Sequence, residues 1–251
     1  TLLHVITKKG KGYKIAEQDP IKFHGVTPFN ISTGVSEKLK SPKMLTYTNV
    51  FSKWITNAAS KNSNFVAITP AMREGSGLVE FENKFPDRFF DVGIAEQHSV
   101  TLAAGLALGG LKPIVAIYST FLQRAYDQLI HDVNLQNLNV MFAIDRAGLV
   151  GADGETHHGI YDISFMRILP KIILMTPSSE TELLMMLNTG LNYNGPTAIR
   201  YPRGNTQSCD LVMTDKDIPI GKSVLVHNGE KIALLVFGQL LHDVIDISRK
   251  L

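Results

Sequence analysis

The segment Phe89–Gly109 (FFDVGIAEQHSVTLAAGLALG) places an acid and an imidazole, Glu96 and His98, between an apolar strand and a helix rich in small residues. In open α/β sheets, ligands bind just outside the carboxyl ends of the strands, where both side chains lie. A glutamate at this position can serve in acid–base chemistry. It can equally stabilise the first helical turn through the helix dipole, and the segment alone leaves both interpretations open.

Charged and aromatic side chains follow the other predicted strands in the same way. Because parallel strands end at one edge of their sheet, we expect these side chains to gather there. The edge combines an acid, aromatic rings and several arginines, and it indicates a binding site. The segments concerned are Thr69–Arg73, Glu96, Tyr118–Phe121, Asp145–Arg146 and Tyr201–Arg203.

Three of these side chains have both a binding and a structural interpretation. Phe121 lies off the apolar stripe of its helix, so it can stack on a flat ring, meet a partner chain or contact the preceding strand. The planar guanidinium groups of Arg146 and Arg203 suit a phosphate or a carboxylate. Each can also form an ion pair with Asp145 or Asp153.

Two glycine-containing loops add candidate groups. The loop Gly148–Gly159 contains Asp153 and the adjacent histidines His157 and His158. Adjacent histidines project differently, so proton transfer or hydrogen bonding to a substrate is favoured over metal binding. The run Lys8–Tyr13 (KKGKGY) could cradle an anion, but it lacks the spacing of a phosphate-binding P-loop.

Apolar strands alternate with helical patterns through the middle of the chain, which predicts a doubly wound parallel α/β sheet with helices on both faces. The predicted strands are Phe65–Ile68, Phe89–Val92, Pro113–Ile117, Val140–Ile144, Ile172–Met175 and Thr197–Arg200, and the helices are Val50–Ala59, Gln97–Ala107, Leu122–Val133 and Thr181–Leu191. Further strands are predicted near the two ends, at Leu2–Thr7 and Ile232–Phe237. They resemble pieces of other sheets, so we expect a fragment or one chain of a larger assembly.

Composition narrows the class of protein. The 251 residues are 44% hydrophobic and 19% charged, as expected for a globular protein of one or two domains. A net charge of +2 is too small to indicate a nucleic-acid partner, and no apolar run could span a bilayer. The single cysteine, Cys209, excludes an internal disulfide and suits a reducing compartment.

The chain resembles the 1-deoxy-D-xylulose-5-phosphate synthase family of the thiamine-diphosphate-dependent transketolase superfamily. The most particular segments are ITPAMREGSGL at Ile68–Leu78 and KPIVAIYSTFLQRAYDQ at Lys112–Gln128. Others are TKKGKGY at Thr7–Tyr13, DPIKFHGV at Asp19–Val26, FPDRFFDVGIAEQH at Phe85–His98, FAIDRAGLVGADGETH at Phe142–His157 and IRYPRGN at Ile199–Asn205. The resemblance implies three parts: the tail of a diphosphate-binding domain with a linker (1–45), a pyrimidine-binding domain (46–208) and the start of a transketolase-type C-terminal domain (209–251).

The resemblance also implies an activity, the condensation of pyruvate, with decarboxylation, and D-glyceraldehyde 3-phosphate, which begins the non-mevalonate route to isoprenoids. Glu96 would promote the imino form of the aminopyrimidine of thiamine diphosphate, and His24 and His157 would transfer protons near the reacting carbon. The implied cofactor contacts are Tyr13, Lys9, Glu96 and Phe121, and the implied substrate and phosphate contacts are Tyr118, Arg124, Arg146, Asp153 and Arg203.

Two departures from the family pattern qualify this picture. The GDG motif that binds Mg²⁺ and diphosphate is absent, so the metal ligands are expected in the N-terminal half of the same protein. This chain alone would then be inactive until that half is supplied. The resemblance also implies a homodimer in a bacterial cytoplasm or a plastid. In addition, His158 stands where a glutamine often follows the family histidine, which leaves its role open.

Two other hypotheses about the function of the chain stay open. A beta-type subunit of a thiamine-diphosphate 2-oxo acid dehydrogenase also lacks the diphosphate-binding half, but it passes its acyl unit to a lipoyl domain. The second hypothesis is an inactive fragment that acts only in binding or assembly. The substrate consumed separates the first alternative from a synthase, and a reading frame with GDG upstream of Thr1 would remove the second.

Overall fold

The computed structural model describes residues 1–36 and 44–251. The chain divides into two compact units, Thr1–Lys43 and Met44–Leu251. The described part of the predicted domain tail and linker (1–45) contains short elements, and residues 37–43 of that prediction lie outside the described residues.

The first unit is built around three aromatic rings. Helix α1 (Lys14–Gln18) follows Tyr13, and the two-residue strands β1 (Phe29–Asn30) and β2 (Val35–Ser36) pair antiparallel. The rings of Tyr13, Phe23 and Phe29 pack with centroids 5.3–6.0 Å apart. The strand predicted at Leu2–Thr7 is wrong, because these exposed residues have no paired strand among the described residues.

The second unit contains the predicted doubly wound sheet. Its six strands are all parallel, in the order β4-β3-β5-β6-β8-β7. Every strand predicted for the middle of the chain is present to within a residue or two. Their bounds are β3 Phe65–Thr69, β4 Phe89–Asp91, β5 Lys112–Tyr118, β6 Met141–Asp145, β7 Ile173–Met175 and β8 Thr197–Arg200.

Helices cover both faces of this sheet. The α-helices are α2 Tyr47–Lys61, α3 Val79–Lys84, α4 Glu96–Leu108, α5 Ser119–Leu122, α6 Tyr126–Gln128, α7 Asp162–Met166, α8 Glu180–Asn192 and α9 Leu240–Ser248. The longest of them, α2, begins at Tyr47 because Thr46 and Asn49 form a reciprocal capping box. The helix predicted over Leu122–Val133 is interrupted: a 3₁₀ turn (Gln123–Ala125) precedes α6, and a π-helical turn (Leu129–Asn134) follows it.

The core has two layers, one on each face of the sheet. Alternation along β5 shows the division, since Ile114 and Ala116 face one layer and Val115 and Ile117 the other. Helices α2, α3 and α8 cover the first face, and α4, α7 and the helical segment after β5 cover the second. Burial on both faces explains why the strands are almost continuously apolar.

Residues 214–218 after β8 lie along α8, and the strand predicted farther on, at Ile232–Phe237, does not form. Asn188 on α8 donates to the carbonyls of Thr214 (2.8 Å) and Lys216 (3.0 Å). Residues 232–237 are irregular and largely exposed, and the prediction is wrong because no described strand pairs with them. In the described part of the chain, none of the helices combines the length and apolarity needed to cross a membrane.

Candidate active site

Glu96 occupies the carboxyl edge of the sheet, where the chain turns from β4 into α4. Asp91 accepts hydrogen bonds from the backbone of Gly93 (2.9 Å) and of Ala71 (3.0 Å), which joins the ends of β3 and β4. Gly93 has a φ of +69°, a backbone conformation that favours glycine. This turn sets Glu96 as the first residue of α4, with only 4% of its surface exposed.

The buried Glu96 carboxylate has a cationic partner from another element. Oε1 accepts a hydrogen bond from Arg124 Nη1 at 2.5 Å. A buried charge is tolerated only when it is paired, and Arg124 supplies the pairing from a side chain that is itself 55% exposed. Glu96 therefore does more than stabilise the first turn of α4, since its carboxylate forms an ion pair with Arg124 on the segment after β5.

Phe121 is the centre of an aromatic cluster beside this ion pair. The Tyr118 ring stacks on it, with centroids 5.5 Å apart and planes 13° apart, and the His157 ring meets its edge at 5.5 Å. The guanidinium carbon of Arg124 lies 5.4 Å from the Phe121 centroid. Phe121 therefore makes the predicted contact with the preceding strand, through Tyr118 at the end of β5. The ring stays part-exposed beside the planar guanidinium group of Arg124.

Asp153 joins the two arginines that the sequence singled out. Its carboxylate forms an ion pair with Arg146 Nη1 and lies 3.4 Å from Arg203 Nε. The Arg203 guanidinium also donates to the Val150 carbonyl (3.1 Å), and that of Arg146 lies 4.7 Å from the Tyr118 centroid. The predicted ion pairs are therefore present with Asp153, and two positive groups share one negative partner.

The loop that carries Asp153 and His157 is fastened at its two ends. Gly148 and Gly159 exchange two backbone hydrogen bonds, both 2.8 Å long. His158 accepts a hydrogen bond from the Val150 backbone (3.1 Å), so it holds the loop together, whereas His157 turns toward Phe121. Residues 1–36 and 44–251 contain no group of three His, Cys, Asp or Glu side chains that could hold a metal ion.

The sequence placed Asp145 at this edge only as an ion-pair partner of the arginines, and the structure gives it another role. Only 1% of its surface is exposed, and its carboxylate accepts hydrogen bonds from Thr48 Oγ1 and the Arg146 backbone, both 2.6 Å long. Burial raises the pKa of Asp145 to about 6. The sequence did contain a signal for this role, because Asp145 is the single acid in an otherwise apolar strand and directly precedes an arginine.

The other predicted site residues, Lys9, Tyr13 and His24, belong to the first unit. Tyr13 donates its hydroxyl to the Ile31 carbonyl at 2.6 Å. The glycine- and lysine-rich run around them does hold an anion, the Glu17 carboxylate, which accepts from Gly12 N (2.9 Å) and from Lys8 Nζ (2.6 Å). The Lys8 ammonium and this backbone N–H lower the pKa of Glu17. His98 lies exposed on α4.

The fold and this edge define a class of protein. The family model described as the transketolase pyrimidine-binding domain matches residues 43–208, and the chain belongs to that family. Among solved structures, a split-gene transketolase described as an inactive beta4 tetramer is 22% identical with a TM-score of 0.71, and the match covers 83% of this chain and 67% of that one. Transketolase from Campylobacter jejuni is 20% identical with a TM-score of 0.57, over 68% of this chain and 28% of that one. At these identities the structural matches establish the fold alone.

Curated relatives narrow the class further. Proteins named 1-deoxy-D-xylulose-5-phosphate synthase from Salmonella arizonae and Citrobacter koseri are each 57% identical over 250 residues, and one from Salmonella paratyphi B is 58% identical. Each match covers 99% of this chain but only 40% of the relative, so the chain spans less than half the length of these proteins. The family resemblance noted in the sequence is confirmed.

Proposed function

We propose that this chain supplies the pyrimidine half of the active site of a 1-deoxy-D-xylulose-5-phosphate synthase. The complete enzyme would join pyruvate, with loss of carbon dioxide, to D-glyceraldehyde 3-phosphate, as an early step toward isoprenoids. The observation that carries the proposal is the buried Glu96 carboxylate, held beside the part-exposed ring of Phe121 by a planar donor. Identity of 57–58% to enzymes of that name supports the choice of reaction.

The residues present fit the aminopyrimidine of thiamine diphosphate. The Arg124 guanidinium, a flat cationic hydrogen-bond donor, already lies next to Phe121 and donates to Glu96, which is the geometry that a flat aminopyrimidine would need. When bound, the cofactor would supply the nucleophilic carbon and the electron sink. Glu96 would share a proton with a ring nitrogen in a site that excludes water, and Phe121 would stack on the ring.

The remaining side chains of the edge suit the substrates. Arg146 and Arg203 both form ion pairs with the carboxylate of Asp153, and their remaining guanidinium donors suit a phosphate or a carboxylate. Tyr118 and Arg124, which both contact Phe121, would also bind substrate. The His157 ring, whose Nδ1 lies 2.9 Å from Thr156 Oγ1, would transfer a proton.

The other parts of the proposal concern the domains of the complete protein. We propose that residues 1–45 complete a diphosphate-binding domain, that residues 46–208 are the pyrimidine-binding domain and that residues 209–251 begin a C-terminal domain. Lys9 and Tyr13 would then contact the cofactor, and His24 would act near the reacting carbon. Mg²⁺ would bind in the N-terminal half of the same protein, within a homodimer in a bacterial cytoplasm or a plastid.

Glu96→Gln in the complete protein tests this function. The amide keeps the size of the side chain but cannot accept a proton, so release of carbon dioxide from pyruvate should fall by about 10²–10⁴-fold, the range of general acid–base catalysis. His98→Gln, two residues along the same helix and exposed, is the matched control and should stay close to wild type. Near-normal release by Glu96→Gln with a normal circular dichroism spectrum would refute the assigned role. Transfer of the acyl unit to a lipoyl domain would indicate a dehydrogenase subunit.

A further inference from the structure

The carboxylate of Asp145 is tied into the backbone on which the site arginines depend. Its Oδ2 accepts from Thr48 in the first turn of α2, and its Oδ1 accepts from the backbone N–H of Arg146. Asp145 ends β6 and lies opposite Tyr118, the last residue of β5. The carboxylate therefore links the start of α2 to the end of β6 at one buried point.

Arg146 has a backbone conformation that needs such support. Its φ is +58°, in the left-handed region that residues with a Cβ rarely adopt. Backbone strain of this kind persists only where the surroundings hold it, and it is concentrated at functional sites. The Asp145 carboxylate holds the N–H of Arg146 itself, and the next two N–H groups, of Ala147 and Gly148, donate to Tyr201 O (3.0 Å) and Gly159 O (2.8 Å).

This turn decides where the Arg146 guanidinium points. From the left-handed position the side chain reaches the face of the Tyr118 ring and the carboxylate of Asp153. Gly159 packs closely against the same turn, since a Cβ on it would lie 2.6 Å from the Arg146 carbonyl oxygen. A change of φ at Arg146 would therefore move the guanidinium away from the cluster that Asp153 assembles.

We propose that Asp145 is a positioning residue, whose buried carboxylate fixes the left-handed turn at Arg146 and so orients that guanidinium toward the phosphorylated substrate. The proposal rests on the proposed function for the identity of that substrate. Asp145 itself touches no substrate in this assignment, because its two oxygens are occupied by Thr48 and by the Arg146 backbone.

The same geometry makes the turn sensitive to pH. Burial raises the pKa of Asp145 to about 6, although the Thr48 hydroxyl and the Arg146 backbone N–H and guanidinium favour the ionised form and the Asp153 charge opposes it. The other titratable groups that face it are Tyr118 and Tyr201, whose pKa values burial raises further above neutrality. Protonation of Asp145 removes part of its acceptor capacity, so the hold on Arg146 weakens below about pH 6.

Four variants of the complete protein test the proposal by steady-state kinetics between pH 5 and pH 8. Asp145→Ala removes both acceptors, and we expect KM for D-glyceraldehyde 3-phosphate to rise about tenfold while KM for pyruvate changes less than about threefold. Asp145→Asn keeps an oxygen for the Arg146 N–H but cannot titrate, so the rise in KM that Asp145 causes below about pH 6 should disappear. Thr48→Val removes the hydroxyl that lowers the pKa and should move that rise to higher pH, whereas Thr48→Ser should restore the wild-type profile.

The outcomes separate this proposal from its alternatives. If the substrate phosphate or His157 caused the rise in KM at low pH, that rise would persist unchanged in Asp145→Asn. Such a result, together with a Thr48→Val profile that is not shifted, would overturn the role of Asp145 in the pH dependence. If Asp145→Ala fails to fold, the two Thr48 variants decide. If the wild-type protein forms no 1-deoxy-D-xylulose 5-phosphate, the proposed function fails, and crystal structures of Asp145→Asn and Thr48→Val at pH 5.5 and pH 8 decide the role of Asp145. An unchanged Arg146 turn in all of them would overturn it.

Discussion

Replacing Gly75 with alanine should destabilise the protein through Tyr118. A Cβ at Gly75 would lie 2.3 Å from the Tyr118 hydroxyl oxygen and 2.6 Å from the Met72 methyl group, closer than real Cβ contacts allow. The methionine end is flexible and can move, but the tyrosine is 4% exposed and stacked on Phe121. The φ of Gly75 is not in the left-handed region, so the effect arises from packing alone. Overpacking of this kind costs about 1–3 kcal/mol.

Urea denaturation of the protein and a matched control measure this cost. Gly105 lies within α4, and a Cβ there meets no atom within 4 Å, so Gly105→Ala should stabilise the protein by about 0.5–1 kcal/mol through helix propensity. Gly75→Ala should unfold at lower urea than wild type, and Gly105→Ala at higher urea. Gly75→Ala with wild-type stability would show that the turn after β3 can shift at no cost, and it would refute the claim that Tyr118 leaves no room for a methyl group at Gly75.

Three further changes test other contacts. Arg203→Ala should raise KM for D-glyceraldehyde 3-phosphate about tenfold by removing a charge-assisted contact, and an unchanged KM would exclude Arg203 from phosphate binding. Asn188→Ala should lower stability by about 1–3 kcal/mol and shift the fluorescence of Trp54, the sole tryptophan, because Asn188 accepts from its indole N–H at 2.8 Å. Unchanged emission and urea midpoint would contradict this. The raised pKa of Asp145 means that its stabilising contribution is complete below about pH 4 and is lost as pH rises through about 6, on the order of 3 kcal/mol in all. A wild-type stability that exceeds that of Asp145→Asn equally at every pH would refute this linkage.

The predictable parts of the fold were those written into local patterns. Strands β3, β5, β6 and β8 are buried on both faces, so their apolar runs reported their positions directly. The same logic failed at Leu2–Thr7 and Ile232–Phe237, because an apolar run becomes a strand only where a neighbour can pair with its backbone. The pattern over Leu122–Val133 correctly reported one buried face, but a face does not specify whether successive turns are α, 3₁₀ or π.

The location of the site was predictable, whereas the choice of acid that each arginine contacts was not. Parallel strands must end together, and that rule alone placed Glu96, Phe121 and Arg146 at one edge. Which acid each arginine meets depends on loop geometry, and the sequence left Asp145 and Asp153 equally available. The structure separates them, since Asp145 turns inward to Thr48 while Asp153 faces both guanidinium groups.

The different contacts of the two acids leave guanidinium donors open at the edge. If the Asp145 oxygens bonded the arginine side chains as well, two carboxylates would take up their N–H groups and an anionic substrate would gain little. Because these oxygens instead bond Thr48 and the Arg146 backbone, Asp153 is the sole carboxylate among the described residues that forms an ion pair with Arg146 or Arg203. A phosphate can then bind beside Asp153 without first breaking a second ion pair, and the left-handed turn at Arg146 is the structural condition for that arrangement.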